Sequence, residues 1–213
     1  MAEEESRTAS PVAHREGAPT AKRAQVQAAV LAATEALLAE GSSYAELNIE
    51  RIATAAGISR TAFYFYFRDK RDLLMRLAAD VNTQFYAQAD IWFSGEGDPE
   101  QEIREALTRI AELYAEHGVL IRAIVEVSTY EEDIARFWRG LLEQFVEATT
   151  RRIEAEQGSG SPSAPARATA FALTWMVERV YYQQLVQDHP VDAGELVDAI
   201  AGIYLRTVYG RGH

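Results

Sequence analysis

The sequence predicts an all-α protein of about nine helices. Three observations predict it. From Ala21 onward apolar residues recur at spacings of three and four, and no segment shows the strict alternation of a half-buried strand. Asp, Asn or Ser precede several of the periodic segments, and Gly or Pro follow them.

Taken in order, Met1 to Thr20 is polar and without periodicity, and is expected to be a disordered tail. Val26, Val30, Ala33 and Leu37 form the first apolar stripe, ended by Gly41. Two short helices are expected between Asn48 and Phe67. Asp69 then caps a long helix with Asp72 three residues on, and Leu74, Leu77, Val81 and Phe85 mark its buried face. The cluster 95–99 stops it, and Asp98–Pro99 opens the next, which carries Ile103, Leu107, Ile110 and Tyr114 and closes at His117–Gly118. A short apolar helix covers 119–128. A long one from near Glu131 bears Ile134, Trp138, Leu141, Leu142, Phe145 and Thr149. The stretch GSGSPSAP, 158–165, is expected to be a flexible linker. The last two helices are expected over 166–187 and 192–209, parted by Asp188-His189-Pro190. The expected division is a tail (1–20), a three-helix unit (21–68) and a helical bundle (69–213).

The chain has no cysteine, which excludes disulfides, thiolate metal sites and thiol nucleophiles. The first twenty residues have no apolar core of a signal peptide, and no apolar run is long enough to span a bilayer, so a cytoplasmic location away from membranes is expected. His14, His117, His189 and His213 show no metal-ligand spacing, and there is no glycine-rich phosphate loop or nucleophile elbow. Neither a cofactor nor enzymatic activity is expected. The net charge of -11 is unevenly placed: residues 48–76 hold six bases against three acids, whereas 77–213 hold eleven against 22. An acidic body with one basic segment suits a protein that touches nucleic acid at a single place.

That segment reads NIERIATAAGISRTAFYFYFRDKRDLL, residues 48–74. Asn48 is placed to cap a short helix with Ile49 and Ile52 facing inward. Gly57 sits at a turn where positive φ costs glycine nothing, Ile58 plugs the corner, and Ser59 caps a second short helix. The pattern is a helix-turn-helix. The second helix presents Arg60, Thr61, Tyr64 and Phe65 outward, with Phe63 and Phe67 on the core side. Arg60 suits guanine O6 and N7, and Thr61 suits a thymine methyl or base edge. The hydroxyls of Tyr64 and Tyr66 and the ammonium of Lys70 suit phosphate oxygens.

The run Ile52-Ala53-Thr54-Ala55-Ala56-Gly57-Ile58-Ser59, followed by Phe63-Tyr64-Phe65-Tyr66-Phe67 and Lys70 with Leu73, resembles the signature of the TetR family of bacterial repressors. The resemblance implies a DNA-binding domain followed by a ligand-binding and dimerisation bundle. It implies base contacts at Arg60, Thr61 and Tyr64, and phosphate contacts at Asn48, Tyr66 and Lys70. Many members carry Tyr-x-His-Phe where this chain has Tyr64-Phe65-Tyr66-Phe67. His117, the Trp138 region, Met176-Val177-Glu178-Arg179 and Tyr209-Gly210 further resemble the EthR-type branch, whose members hold elongated apolar ligands in a helical tunnel.

Read from the residues alone, the body is rich in aromatics: Tyr114, Trp138, Phe145, Phe171, Trp175, Tyr181, Tyr182 and Tyr204. Such a set lines a ligand site between bundle helices or simply fills a core; spacing does not separate the two. Thr149 and Thr174 are the candidate polar groups of a site. The branch resemblance favours Ile110, Tyr114, Trp138, Leu142, Phe145, Thr149, Val177, Tyr182 and Tyr204 as its lining. Glu178–Arg179, set among apolar residues, reads as a structural ion pair. The last two helices are apolar around much of their circumference (Phe171, Leu173, Trp175, Val177, Val180 and Leu185; Leu196, Val197, Ile200, Ile203 and Val208), as a two-fold dimer through a four-helix bundle requires. The expected partners are thus a near-palindromic double-stranded DNA operator, an apolar small-molecule effector and a second copy of the chain. An all-helical enzyme or a pure interaction module leaves the basic, aromatic segment 48–76 unexplained.

Overall fold

The computed structural model describes residues 21–158, 165–188 and 191–210. The expected tail, most of the expected linker, and His14, His189 and His213 lie outside the described residues. Those residues form nine α-helices: α1 (Ala21–Ala39), α2 (Ile49–Ala55), α3 (Arg60–Tyr66), α4 (Lys70–Phe93), α5 (Pro99–Glu116), α6 (Gly118–Ser128), α7 (Glu132–Gln157), α8 (Ala166–Tyr181) and α9 (Ala193–Tyr209). A π-helical turn, Tyr182–Val186, follows α8. No strand occurs among the described residues, and no helix there is long and apolar enough to cross a membrane.

The helices begin where side-chain oxygens replace missing backbone partners. Asn48 accepts from the Arg51 N–H at 2.9 Å, Ser59 from Ala62 at 3.0 Å, and Asp69 from Asp72 at 2.8 Å. Asp98 accepts from Glu100 and Gln101 ahead of α5, and Asp192 from Glu195 ahead of α9. Each satisfies N–H groups that no earlier turn can reach. Gly57 takes φ +69 between α2 and α3, the left-handed turn expected of it.

Phe63 and Phe67 are buried from α3, as are Ile52 and Ala53 from α2, Val30 from α1 and Leu73 and Leu74 from α4, all within one hydrophobic core. α4 is therefore shared. Its first turns complete the small three-helix unit, and its remaining length packs against α5 and α7 in the body. At 24 residues it extends about 36 Å.

Two details differ from the expected elements. The helix expected over 166–187 is α-helical only to Tyr181 and then widens by one residue per turn. The wider turn leaves the Val186 carbonyl to accept from Arg122 of α6, and lets Gln184 donate to the Val191 carbonyl at 2.7 Å. The second concerns the last two helices: Leu173, Val197, Ile200 and Val208 are buried in the chain's own core. Phe171 stays exposed and Trp175, Val180, Leu185, Leu196 and Ile203 half-buried, so the outward apolar face is narrower than the sequence predicts.

Asp72 fastens the start of α4. Its carboxylate accepts from the Arg68 N–H at 3.0 Å and lies 3.4 Å from the Arg76 guanidinium. Burial alone would raise its pKa, but the Arg68 N–H and the Arg76 and Arg68 charges hold it below the usual carboxylate value. A depressed carboxylate stabilises the fold above its unfolded pKa, and that stability is lost as pH falls through the lower folded value. Asp72→Asn should therefore cost about 1 kcal/mol at neutral pH, after allowance for solvent screening. In denaturant melts the gap to wild type should close as pH drops below about 4; a gap independent of pH would show that the charge does not contribute.

Candidate functional site

Two features stand out: an exposed helix face on α3 and an apolar cavity in the body. On α3, Arg60, Thr61 and Tyr64 are exposed along with Ser59, its N-cap, and Phe65, the most exposed large apolar side chain at 75%. Phe63 and Phe67 point the other way and stack at 5.2 Å between ring centres. Tyr66 is half-buried, and Asn48 lies exposed at the start of α2. Asn48 and Ser59 spend one oxygen each on caps and keep the amide N–H groups and the hydroxyl proton to donate. The predicted contact residues are thus exposed or half-exposed on the helix-turn-helix, whereas the Lys70 ammonium is engaged within the protein.

Lys70 is employed differently from the expectation. Its ammonium donates to the carbonyls of Tyr44 at 2.6 Å, Ala45 at 3.1 Å and Leu47 at 2.6 Å. An ammonium has three protons, and all three are spent inside the protein. It also lies 4.9 Å from the centre of the Tyr44 ring, whose hydroxyl donates back to the Lys70 carbonyl. Burial lowers the Lys70 pKa and, chiefly, raises that of Tyr44; the hydrogen bonds make the pair a clasp between the α1–α2 loop and α4. The sequence reading missed Tyr44, which lies outside the helix-turn-helix motif. What Lys70 leaves for an anion is its backbone N–H in the first turn of α4.

The cavity lies among α4, α5, α7, α8 and α9. It is narrow, with a volume of about 80 Å3. Ile110, Tyr114, Trp138, Leu142, Phe145, Thr149, Thr174, Val177 and Tyr204, named above as candidate ligand contacts, all line it. Tyr182 does not. Its ring lies under the Arg179 guanidinium at 5.0 Å and its hydroxyl accepts from Gln187, because the chain has entered the π turn there. The neighbouring Tyr181 turns inward instead and donates to the Leu107 carbonyl at 3.0 Å.

The wall missed by sequence reading is mostly α4: Asn82, Phe85, Ala89, Trp92 and Phe93. Phe85 meets Tyr114 at 4.9 Å, and Trp92 meets Tyr204 edge-on at 5.1 Å. Phe85 was legible as a buried position, but an apolar stripe on one helix does not reveal which neighbours it leaves unfilled. Ile103, Ala106 and Leu107 of α5 complete the apolar lining, with Glu178 of α8 as its one charged member. Glu178 does pair with Arg179, but only at 3.5 Å.

The comparisons with known proteins agree with this geometry. The family "Bacterial regulatory proteins, tetR family" matches residues 30–77, and "Transcriptional regulator EthR, C-terminal domain" matches residues 103–210. The chain is 32% identical to the HTH-type transcriptional regulator EthR of Mycolicibacterium smegmatis, across 96% of this chain and 95% of that protein. The chain belongs to the TetR family of transcriptional regulators, in its EthR-type branch. Solved structures share the fold at lower identity. A TetR-family regulator from Syntrophomonas wolfei superposes with a TM-score of 0.70 at 19% identity, over 89% of this chain and 95% of that one. FadR of Bacillus subtilis, solved in complex with stearoyl-CoA, gives 0.68 at 17% identity, over 87% of this chain and 99% of that one.

For this TetR-family regulator the clasp yields a prediction. Lys70→Ala strips the donors from three carbonyls and should lower stability by about 1–3 kcal/mol in chemical denaturation. It should weaken DNA binding while leaving the salt dependence unchanged. A salt slope reduced by about one unit would instead place the ammonium on a phosphate.

Proposed function

We propose that this regulator is a ligand-responsive repressor: it binds a near-palindromic operator as a homodimer, and an apolar small molecule releases it. The observation that carries the reading is the sharing of α4, whose first turns belong to the α1–α3 unit while Asn82 to Phe93 form a wall of the cavity. A molecule that spreads the cavity pushes on the helix that carries α3.

On this reading residues 21–68 form the DNA-binding domain and 69–213 the ligand-binding and dimerisation domain. Arg60, Thr61 and Tyr64 meet base edges; Asn48, Ser59, Tyr66 and the Lys70 backbone N–H meet phosphates. The outward face of α8 supports the homodimer: Phe171 is 54% exposed and its ring lies 6.0 Å from that of Trp175. Two copies joined there form a four-helix interface with α9, and their α3 helices enter successive major grooves about 34 Å apart. The effector acts by population shift between two spacings of the paired α3 helices, one that fits the operator and one that does not, and can move the balance only by its differential affinity for them. The protein works in the cytoplasm and catalyses no reaction.

Titration of DNA fragments flanking its own gene, by fluorescence anisotropy at fixed salt with scrambled competitor, tests the DNA half. Saturable binding that survives competitor is expected. Arg60→Ala should then cost about 1–3 kcal/mol on the specific fragment and relax preference at one base pair; wild-type affinity in that variant would remove Arg60 from the base contacts. A cavity ligand that leaves operator affinity unchanged at saturation would overturn the release mechanism for that ligand.

A further inference from the structure

Two polar side chains in the cavity wall have nothing to bond. Thr174 and Glu178 stand one turn apart on α8, 7% and 3% exposed. Neither carboxylate oxygen nor the threonine hydroxyl has a hydrogen-bond partner. Arg179 approaches one carboxylate oxygen at 3.5 Å without donating to it, and its own side chain is half exposed. The Tyr114 hydroxyl is spent at 3.4 Å on the Glu178 backbone carbonyl, so it does not serve the carboxylate. Burial pushes the Glu178 carboxyl above its ordinary range, with Arg179 pulling the other way. A buried acid in an otherwise apolar wall is costly unless something supplies donors or positive charge.

We propose that the effector accepted by this cavity is an apolar chain ending in a protonated amine, its N–H groups bonded to the Glu178 carboxylate and the Thr174 hydroxyl. The inference rests on the ligand-responsive reading above and names the chemical class of the ligand. An ammonium carries three donors and no acceptor, the complement of three unpartnered oxygens on two side chains one turn apart. Its charge meets the carboxylate where water is excluded, which makes such hydrogen bonds strong. The apolar chain has matching walls in Phe85, Leu107, Trp138 and Phe145. Along α4 the lining runs from Asn82 to Phe93, about 16 Å of helix rise, so the guest is elongated. A fatty carboxylate would set a second anion beside Glu178, and an alcohol brings one donor and no charge.

Trp92 and Trp138 both line the cavity, so tryptophan emission reports occupancy. The full-length protein is titrated with decylamine, decanol and decanoate, each below its micellar concentration. Decylamine should bind at least about tenfold more tightly than decanol, as expected for hydrogen bonds to a charged partner, and decanoate should bind weakest. In Glu178→Gln the amine preference should vanish while decanol affinity is kept. Removing a buried charge should leave that variant's melting temperature equal or higher, which separates lost recognition from lost folding. Thr174→Val should lose part of the preference. Full decylamine affinity in Glu178→Gln, or decanoate binding as tightly as decylamine, would overturn the inference. Decanol binding with no amine preference would also overturn it while leaving the effector reading intact; binding of none of the three would sink both.

Discussion

The ammonium of Lys70, held by the carbonyls of Tyr44, Ala45 and Leu47, ties the α1–α2 loop to the first turn of α4. The small DNA-contacting unit depends on that closure. α2 and α3 are seven residues each, too short to persist alone in water, and Phe63 and Phe67 are buried in the core that α1 and α4 share. With the clasp shut, the position of α3 is set by the position of α4. On the proposed reading, a change in the body would then reach the DNA-contacting face as a movement of the unit, with no need to deform it.

The helix-turn-helix was legible because its constraints are local. Asn48 and Ser59 cap, Gly57 turns and Phe63 faces inward for reasons contained within a few residues, and the structure repeats each of them. The cavity was legible in half. Residues on α5, α7, α8 and α9 carried a branch resemblance, but the α4 wall depends on how five helices splay, which no single helix encodes. Tyr44 was hidden for the same reason: its partner lies 26 residues along the chain. Tyr182 misled because helical spacing assumes a constant 3.6-residue turn, and the π turn begins at that residue. Lys70 misled because a basic residue beside a DNA-contacting helix has two good uses, and sequence does not show the carbonyls that claim it.

The cavity is almost wholly apolar, and this makes its few polar groups informative. Aromatic walls attract any elongated hydrophobic guest with little discrimination, since burial rewards area and not identity. On the proposed reading, discrimination would come from the buried polar groups of the wall, and Glu178, with both carboxylate oxygens unpartnered, is the most demanding of them. Leaving it unpaired penalises guests without donors and those with a second negative charge alike. A narrow slot adds a steric condition: about 80 Å3 is smaller than an elongated guest, so on the proposed reading wall rings, Phe85 on Tyr114 and Trp92 on Tyr204 among them, would have to part.

How such parting would travel depends on how each end of α4 is held. The far end is pinned in a buried network: Trp92 donates to the Tyr209 hydroxyl at 3.0 Å, Arg152 donates to the same hydroxyl at 3.3 Å and to the Gly95 carbonyl, and Arg152 also pairs with Glu156 at 3.1 Å and Glu102 at 3.7 Å. Breaking it would strand charges out of water. The near end is tied to the body by Arg71 with Asp133 and Glu131, side chains 40–50% exposed, and by the contact of His117 with Glu35 on α1 at 3.0 Å. Exposed ion pairs contribute at most about 1 kcal/mol. On the proposed reading, a guest wedged against the middle of α4 would meet the Trp92 network at one end, and at the other the exposed Arg71 pairs together with the buried Leu73, Leu74 and Leu77. The Lys70 clasp fastens the α1–α2 loop to that second end, so on the proposed reading any shift of the first turn of α4 would carry the loop with it.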